Sequence, residues 1–368
     1  MKLDCFLQCV IIFNNVQTND SLIQLVDKHL ILIKMKKRQP ALLITVLFII
    51  CSVAVSAQKN KFQNDSTYYE TFPDKLNIRV YLSQKYVHLN IPSGGNIADL
   101  EYKANRKLNL GAGFSYKWIT VNLFNGFSFL NTKDEPKGKT TGLGLQIHLF
   151  PKKWAIDLTA ELPKGFHLEP KGMAGAKADE YYYRADVKSN LYGISAYRVP
   201  NKEKFSYRAA ISQTEWQKKS AGSFLYGGGI FHGSLQGDSV LIPALLQNQF
   251  PETGVKKLTY TTIGPGVGYA HTLVIDQHFF ITGSLVVNAN VNFVSEEGTT
   301  KEKKTSFNGG DVFKAAIGYN SSTWNFSANW LGQGIWIKGP STNENYFFPS
   351  GQVRVVVAHK FDVHKHHS

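Results

Sequence analysis

The chain has 368 residues, 43% hydrophobic and 13% aromatic, with a formal net charge of +14. All three cysteines (Cys5, Cys9, Cys51) precede Gln58, which excludes disulfides and cysteine chemistry from the remainder, and nothing after Val55 reaches the roughly 18 apolar residues of a spanning helix. The lysines sit in turns and loops instead of on one helix or patch, which argues against nucleic acid and for contact with anionic lipid head groups or lipopolysaccharide.

Residues 1–34 read as an upstream extension ahead of the true start at Met35. Met35-Lys-Lys-Arg38, the apolar run Ala41–Val55 and the small residues Val55-Ser-Ala57 then form a secretory signal peptide over 35–57, cleaved after Ala57. Six of the 41 basic and three of the 27 acidic residues precede Gln58, which leaves the mature part at +11. Residues 58–75 are polar and read as a periplasmic lead-in, and Leu76–Leu89 is a first candidate strand.

The clearest unit is Leu108–Leu130, a hairpin read in twos. Leu108, Leu110, Ala112, Phe114 and Tyr116 share one face, and Ile119, Val121, Leu123, Phe127 and Phe129 continue it after a phase change at Lys117–Ile119. The opposite face is small and polar (Gly111, Gly113, Ser115, Thr120, Asn122). Each arm has about ten residues, the length of a tilted membrane-crossing strand. A second hairpin follows. Leu143, Leu145, Ile147 and Leu149 lead to a Pro151–Lys153 turn, and Trp154, Ile156, Leu158, Ala160 and Leu162 return. Later candidates are Asp186–Val199, Phe205–Gln213, Ala221–His232, Leu258–His271, His278–Phe293, Val312–Tyr319, Trp324–Ile337 and Gln352–Phe361. Short turns alternate with longer connections, which include 91–106, 163–185 and 295–309. The segment Ser234–Lys257 breaks the rhythm and is apolar enough to plug a lumen or cap one end as a short helix.

Thirteen candidates cannot close a barrel with both termini on one side, so the reading is twelve strands, with fourteen as the alternative. The fold class is an all-β, antiparallel up-and-down transmembrane β-barrel over 76–361, followed by a tail at 362–368. A soluble sandwich would show the same period. Two features favour the barrel: the polar face carries Gly, Ser, Thr and Asn instead of Lys and Glu, and Trp118, Trp154, Phe205 and Trp324 flank short turns as an aromatic girdle. A final strand ending at Phe361 suits the barrel-assembly machinery.

Tyr68-Tyr-Glu-Thr-Phe-Pro-Asp-Lys75, the Ser115-Tyr-Lys-Trp118 turn, Lys152-Lys-Trp-Ala-Ile-Asp157 and Gly237-Asp-Ser239 with Ile242-Pro243 resemble a family of uncharacterised Bacteroidetes outer-membrane proteins known only as a domain of unknown function. The resemblance covers Gln58 to Phe361 and implies an exported barrel in the cell outer membrane. It implies no activity.

Candidate lumen-facing residues are Gln146, His148, Asp157 and Glu161, with Gln146 across from Asp157, Gly144 from Thr159 and Gly142 from Glu161 if Pro151–Lys153 is the turn. Arg198, Arg208 and Arg354 share inward parity. They read either as a polar pore or ligand site or as paired charges filling a small lumen. Gly229-Ile-Phe-His232-Gly-Ser234 resembles half of an outer-membrane phospholipase pattern, but Leu235 stands where that pattern has Asn. His364-Lys-His366-His367 lacks acidic or cysteine companions and reads as a basic tail. No cofactor, metal or small-molecule signature emerges. The leading function is a non-enzymatic barrel, either a narrow channel or a structural and surface-interaction protein. A lipid hydrolase and an exported adhesive or lectin-like β-protein are the alternatives.

Overall fold

A computed structural model describes residues 64–95, 97–105, 108–125, 130 and 136–363. The extension, the signal peptide, Phe127, Phe129 and the histidine tail lie outside the described residues. The strands are β1 (Tyr69–Thr71), β2 (Lys75–Ile91), β3 (Leu100–Ala104), β4 (Leu108–Tyr116), β5 (Ile119–Asn125), β6 (Thr141–Leu149), β7 (Trp154–Glu169), β8 (Tyr182–Arg198), β9 (Glu215–Gln217), β10 (Ala221–Gln236), β11 (Lys257–Ile275), β12 (Phe279–Glu297), β13 (Lys301–Asn320), β14 (Trp324–Ile337) and β15 (Tyr346–Asp362). Helix α1 (Tyr207–Ile211) lies between β8 and β9.

Among the described residues, twelve antiparallel strands form a ring, β2-β4-β5-β6-β7-β8-β10-β11-β12-β13-β14-β15. It closes where β15 pairs with β2, from Phe347↔Asn90 to Asp362↔Lys75. Closure removes the exposed sheet edge. The tight turns and both described termini lie at one end, here the lower end. Most long connections lie at the upper end, and the 199–220 connection, which carries α1 and β9, lies at the lower end.

The period-two reading orients the wall. On β12, Phe279, Ile281, Leu285, Val287 and Phe293 face outward and are about half exposed, while Phe280, Thr282, Ser284, Val286, Asn288, Asn290 and Asn292 are buried inside. β2 behaves alike, with Ile78, Val80 and Leu82 outward and Asn77, Arg79, Tyr81 and Ser83 inward.

The structure corrects four expectations. The 163–185 connection is shorter than expected, because β7 runs on to Glu169 and β8 starts at Tyr182. Phe205–Gln213 is not a strand. Ser206 Oγ accepts from Ala209 N at 3.0 Å and caps α1, so the alternation of Phe205, Tyr207, Ala209 and Ile211 is an accident of a short helical turn. This removes the thirteenth candidate. The 295–309 connection is a hairpin extension, because β12 and β13 stay paired out to Glu297↔Lys301. Both faces there are polar, so alternation could not mark it. The 91–106 loop contains β3, which pairs with β2 at His88–Ile91 and with β7 at Glu101–Ala104↔Phe166–Glu169.

Candidate functional site

The lumen is filled in three layers, and the two ends differ in chemistry. The upper stopper is the connection between β10 and β11. Its Leu241, Ile242, Leu246, Phe250 and Val255 pack on Leu89, Leu100, Phe166, Leu168, Leu258 and Tyr260 of the wall in one apolar cluster. A 3-10 turn, Ala244–Gln249, carries Leu246, as the apolar Ser234–Lys257 segment suggested. Tyr102 donates to Leu241 O, and Arg184 Nη1 donates to Val240 O at 3.0 Å. Glu252 is buried here, facing Glu296, whose Oε1 accepts from Tyr346 Oη at 2.7 Å. Burial, reinforced by the Glu296 carboxylate, pushes Glu252 up to about 7.

The lower stopper comprises α1 and the two-stranded β1–β9 sheet. The wall holds it by its backbone oxygens. Asn320 Nδ2 donates to Glu215 O at 2.8 Å and to Ala209 O at 3.3 Å, Arg354 Nη2 donates to Ile211 O at 3.0 Å, and Asn77 Nδ2 donates to Gln213 O. Arg208 pairs with Glu215 at 3.0 Å. Burial holds the nearby Lys202 ammonium down at about 8, against the attraction of Glu215.

Between the stoppers lies a polar belt around a cavity of ≈ 60 Å³, lined by Gln146, His148, Asp157, Glu161, Ser195 and Lys314 among others. All four residues singled out from the sequence therefore meet at one place. Asp157 is its hub: Oδ1 accepts from His148 Nδ1 at 2.5 Å and Oδ2 from Lys314 Nζ at 2.5 Å. The expected register is two residues off. His148, not Gln146, stands opposite Asp157, and Gly144, not Gly142, stands opposite Glu161. The turn centres between Lys152 and Lys153, with Trp154 N donating to Pro151 O at 3.0 Å and Lys152 at φ 48°. Glu161 pairs with Lys85, whose Nζ lies 3.9 Å from the centre of the Phe124 ring. A Cβ at Gly144 would meet Lys85 Nζ, the Phe124 ring and Glu161, so a larger residue would have to push these side-chain ends aside. Gln352 Nε2 donates to Gln146 Oε1 at 2.6 Å.

Chemically this belt is a set of matched charges in a closed space. A cavity of ≈ 60 Å³ holds about four waters at ~15 Å³ of centre-accessible space each. Asp157 already accepts from the His148 imidazole and the Lys314 ammonium, which leaves it poorly placed to act as a free base. Sequence reasoning missed Lys314 and Lys85. They lie 157 and 76 residues from their partners in the chain, and only parity marks them as inward.

Several other candidates fall elsewhere. Arg198 faces outward and is exposed, whereas Arg354 is buried inside. Trp154 and Trp324 are outward and part-exposed at the lower rim, and Trp118 is half-buried beside its turn. Phe205 is not on the rim. It is fully buried in the lower stopper, packed with Tyr207 and Ile211. His232 and Ser234 lie on the outer face of β10, and His232 Nδ1 lies 2.9 Å from Thr261 Oγ1 instead of engaging Ser234.

Comparison with solved structures finds resemblance to the outer membrane protease OmpT of Escherichia coli at 9% identity, covering 80% of this chain and 98% of that one with a TM-score of 0.34. The Pseudomonas putida toluene transporter TodX matches at 9% identity over 79% and 90% of the two chains, TM-score 0.27. Ail, the attachment invasion locus protein of Yersinia pestis, matches at 8% identity over 79% and 100%, TM-score 0.18. No curated protein sequence matches the chain. The family model described as Domain of unknown function (DUF4421) matches residues 63–361, and the chain belongs to that family.

Proposed function

We propose that the protein is an outer-membrane β-barrel with a stoppered lumen, acting through its outer surface and its fixed scaffold instead of by catalysis or wide-pore transport. The observation that carries this is the outward face of the ring. Large apolar side chains stand about half exposed all around it, including Val80, Phe114, Ile194, Phe224, Val287, Ile317 and Val355. An apolar belt of that extent is incompatible with water and suits hydrocarbon. Aromatics edge it: Trp324 stacks on Phe326 at 5.8 Å near the lower rim, and Trp336 on Phe347 at 4.5 Å near the upper. Export through the 35–57 signal, passage through the barrel-assembly machinery and contact of rim lysines with lipopolysaccharide complete this reading.

The test combines gel migration with lipid insertion. The folded protein should migrate faster unboiled than boiled and should float with lipid vesicles. Leu285→Arg, at the middle of the belt, should cost about 2–4 kcal/mol of folding into bilayers. A protein that stays in the aqueous fraction, or a Leu285→Arg variant indistinguishable from the parent, would overturn the reading. A lipid-hydrolase role would require activity that Ser234→Ala abolishes.

A further inference from the structure

Two arginines stand on the inner wall with no acid of their own. Arg79 on β2 and Arg354 on β15 are each 1% exposed. Arg79 Nη2 donates to Ser115 Oγ and Arg354 Nη2 to Ile211 O at 3.0 Å, both neutral oxygens. Nε and Nη1 of each guanidinium are buried and have no partner. The charge that acts most strongly on Arg79 is that of Arg354, and among the described residues no carboxylate acts on it. Asp157 is the one carboxylate that acts on Arg354, and it is already engaged by His148 and Lys314. Glu215, in the stopper below, is held by Arg208 and Ser206. A buried guanidinium without a counter-charge is costly, and two that repel each other cost more.

The strand registers bring further polar groups to the same patch. Arg354 stands between Asn329 on β14 and Ser83 on β2. Arg79 stands beside Gly113 on β4, which faces Asn122 on β5. The Arg79 stem and the Asn122 amide converge over Gly113, where an added Cβ would lie 3.1 Å from Arg79 Cδ and 2.5 Å from Asn122 Oδ1. Asn122 and Asn329 are buried with both amide atoms unpartnered, and Ser83 Oγ has no partner either. Tyr81 lies between the two rows, with Arg354 Cζ 5.8 Å from its ring centre. Its own hydroxyl is spent on Leu123 O at 3.0 Å. The patch therefore carries a surplus of unused N–H donors and of positive charge.

We propose that this patch binds a small inorganic anion of halide size, held between Arg79 and Arg354 with the Asn122 and Asn329 amides beside it. An anion supplies what this part of the wall lacks, a negative charge that accepts from several N–H groups at once. A halide is favoured over an oxyanion because both guanidiniums are enclosed, and because a sphere accepts from donors in any arrangement, whereas each oxygen of an oxyanion needs its own. The ion steadies the lower stopper, since Arg354 carries both the ion and Ile211 O. The site lies inside the closed ring and goes beyond the membrane reading.

The test uses the folded protein in non-ionic detergent at fixed ionic strength, with sodium chloride exchanged for sodium gluconate. The folded-to-unfolded ratio in urea should rise about tenfold for each tenfold rise in chloride once the site fills. Arg79→Met should lose this dependence, and in gluconate it should be at least as stable as the parent, because it removes one of two uncompensated charges. Lys301→Gln, on the upper hairpin, should keep the full dependence, which separates binding from screening. Crystals grown in sodium bromide should show a bromine anomalous peak between the two guanidiniums. Equal stability of the parent in chloride and gluconate, full chloride dependence in Arg79→Met, or water alone at the bromide position would each overturn the proposal. Phosphate should protect the parent no more than it protects Arg79→Met, and a phosphate response that only the parent shows would overturn the halide assignment. If Arg79→Met loses its unboiled migration, Asn122→Ala takes its place, expected to weaken the chloride dependence in a folded barrel. The bromide measurement on the unaltered protein stands in either case. Failure of the membrane reading would appear separately, as parent protein that neither floats with vesicles nor shows heat-dependent migration.

Discussion

The two ends of the barrel are closed by the same two means in different proportion: the lower stopper also buries Phe205, Tyr207 and Ile211 in an apolar cluster, and Tyr102 and Arg184 also donate to backbone oxygens of the upper one. At the upper end a connection lays apolar side chains onto an apolar wall, with Ile242 fully buried at its centre. At the lower end the wall reaches in with Asn77, Asn320 and Arg354 and grips the backbone oxygens of a short helix and its following loop. Burial energy is spread over many contacts and has no direction, whereas hydrogen bonds to carbonyls are few and directional. The upper stopper should therefore tolerate rearrangement and yield to lost volume. The lower one should hold one geometry and yield to single polar deletions.

The largest separation of the two is expected from Ile242→Ala. Truncation at a fully buried site costs about 2–5 kcal/mol. Proteolysis and amide exchange should show 237–256 released while the α1 amides stay protected. Next comes Asn320→Ala, which leaves the buried oxygens of Ala209 and Glu215 short of a donor. A loss of about 1–3 kcal/mol is expected at the lower end alone, read as faster exchange over 209–215. Equal effects at both ends from either variant would erase the distinction.

The ends should also answer pH in opposite directions. Glu252 is pushed up to about 7 from its ordinary 4.5, so the folded state favours its neutral form. Its contribution to the upper end is fully present below pH 4.5 and is lost as pH rises through 7. The groups facing it, Glu296, Glu344 and Tyr346, add no cation to reverse this. Glu252→Gln should flatten the response, seen as protection factors at 237–256, with the intrinsic exchange rate divided out, that no longer fall between pH 5 and 8. Lys202 is held at about 8, below its ordinary 10.5, so its cost to the lower end falls as pH rises from 8 towards 10.5. Lys202→Met should remove that rise. The smallest effect is expected from Ser206→Ala, which removes the cap of α1 and costs about 1 kcal/mol, measurable as a shift in unfolding midpoint.

Much of this was legible in the sequence, and the failures have physical causes. The wall strands were readable because an apolar outer face and a crowded polar lumen force strict alternation, as along Phe279–Phe293. Where both faces carry polar residues, as in the upper hairpin from Ser295 to Thr305, the alternation vanishes and the strands read as loop. β3 did carry a signal, Leu100, Tyr102 and Ala104 alternating with Glu101 and Lys103, but it is only five residues long. α1 was misread because Phe205, Tyr207, Ala209 and Ile211 mimic a strand, and the informative residue was the Ser206 cap. In the lumen, parity located Gln146, His148, Asp157 and Glu161. The pairing of Asp157 with Lys314 belongs to the closure of the ring, which brings β13 opposite β7 across the interior.

The central claim is that both ends are stoppered, and planar-bilayer conductance tests it most directly. The intact protein should give no long-lived steps. A variant with 240–253 replaced by a short Gly-Ser linker should stay silent as well, because the lower stopper and the polar belt remain. Stable, ion-sized conductance from the intact protein would contradict the account.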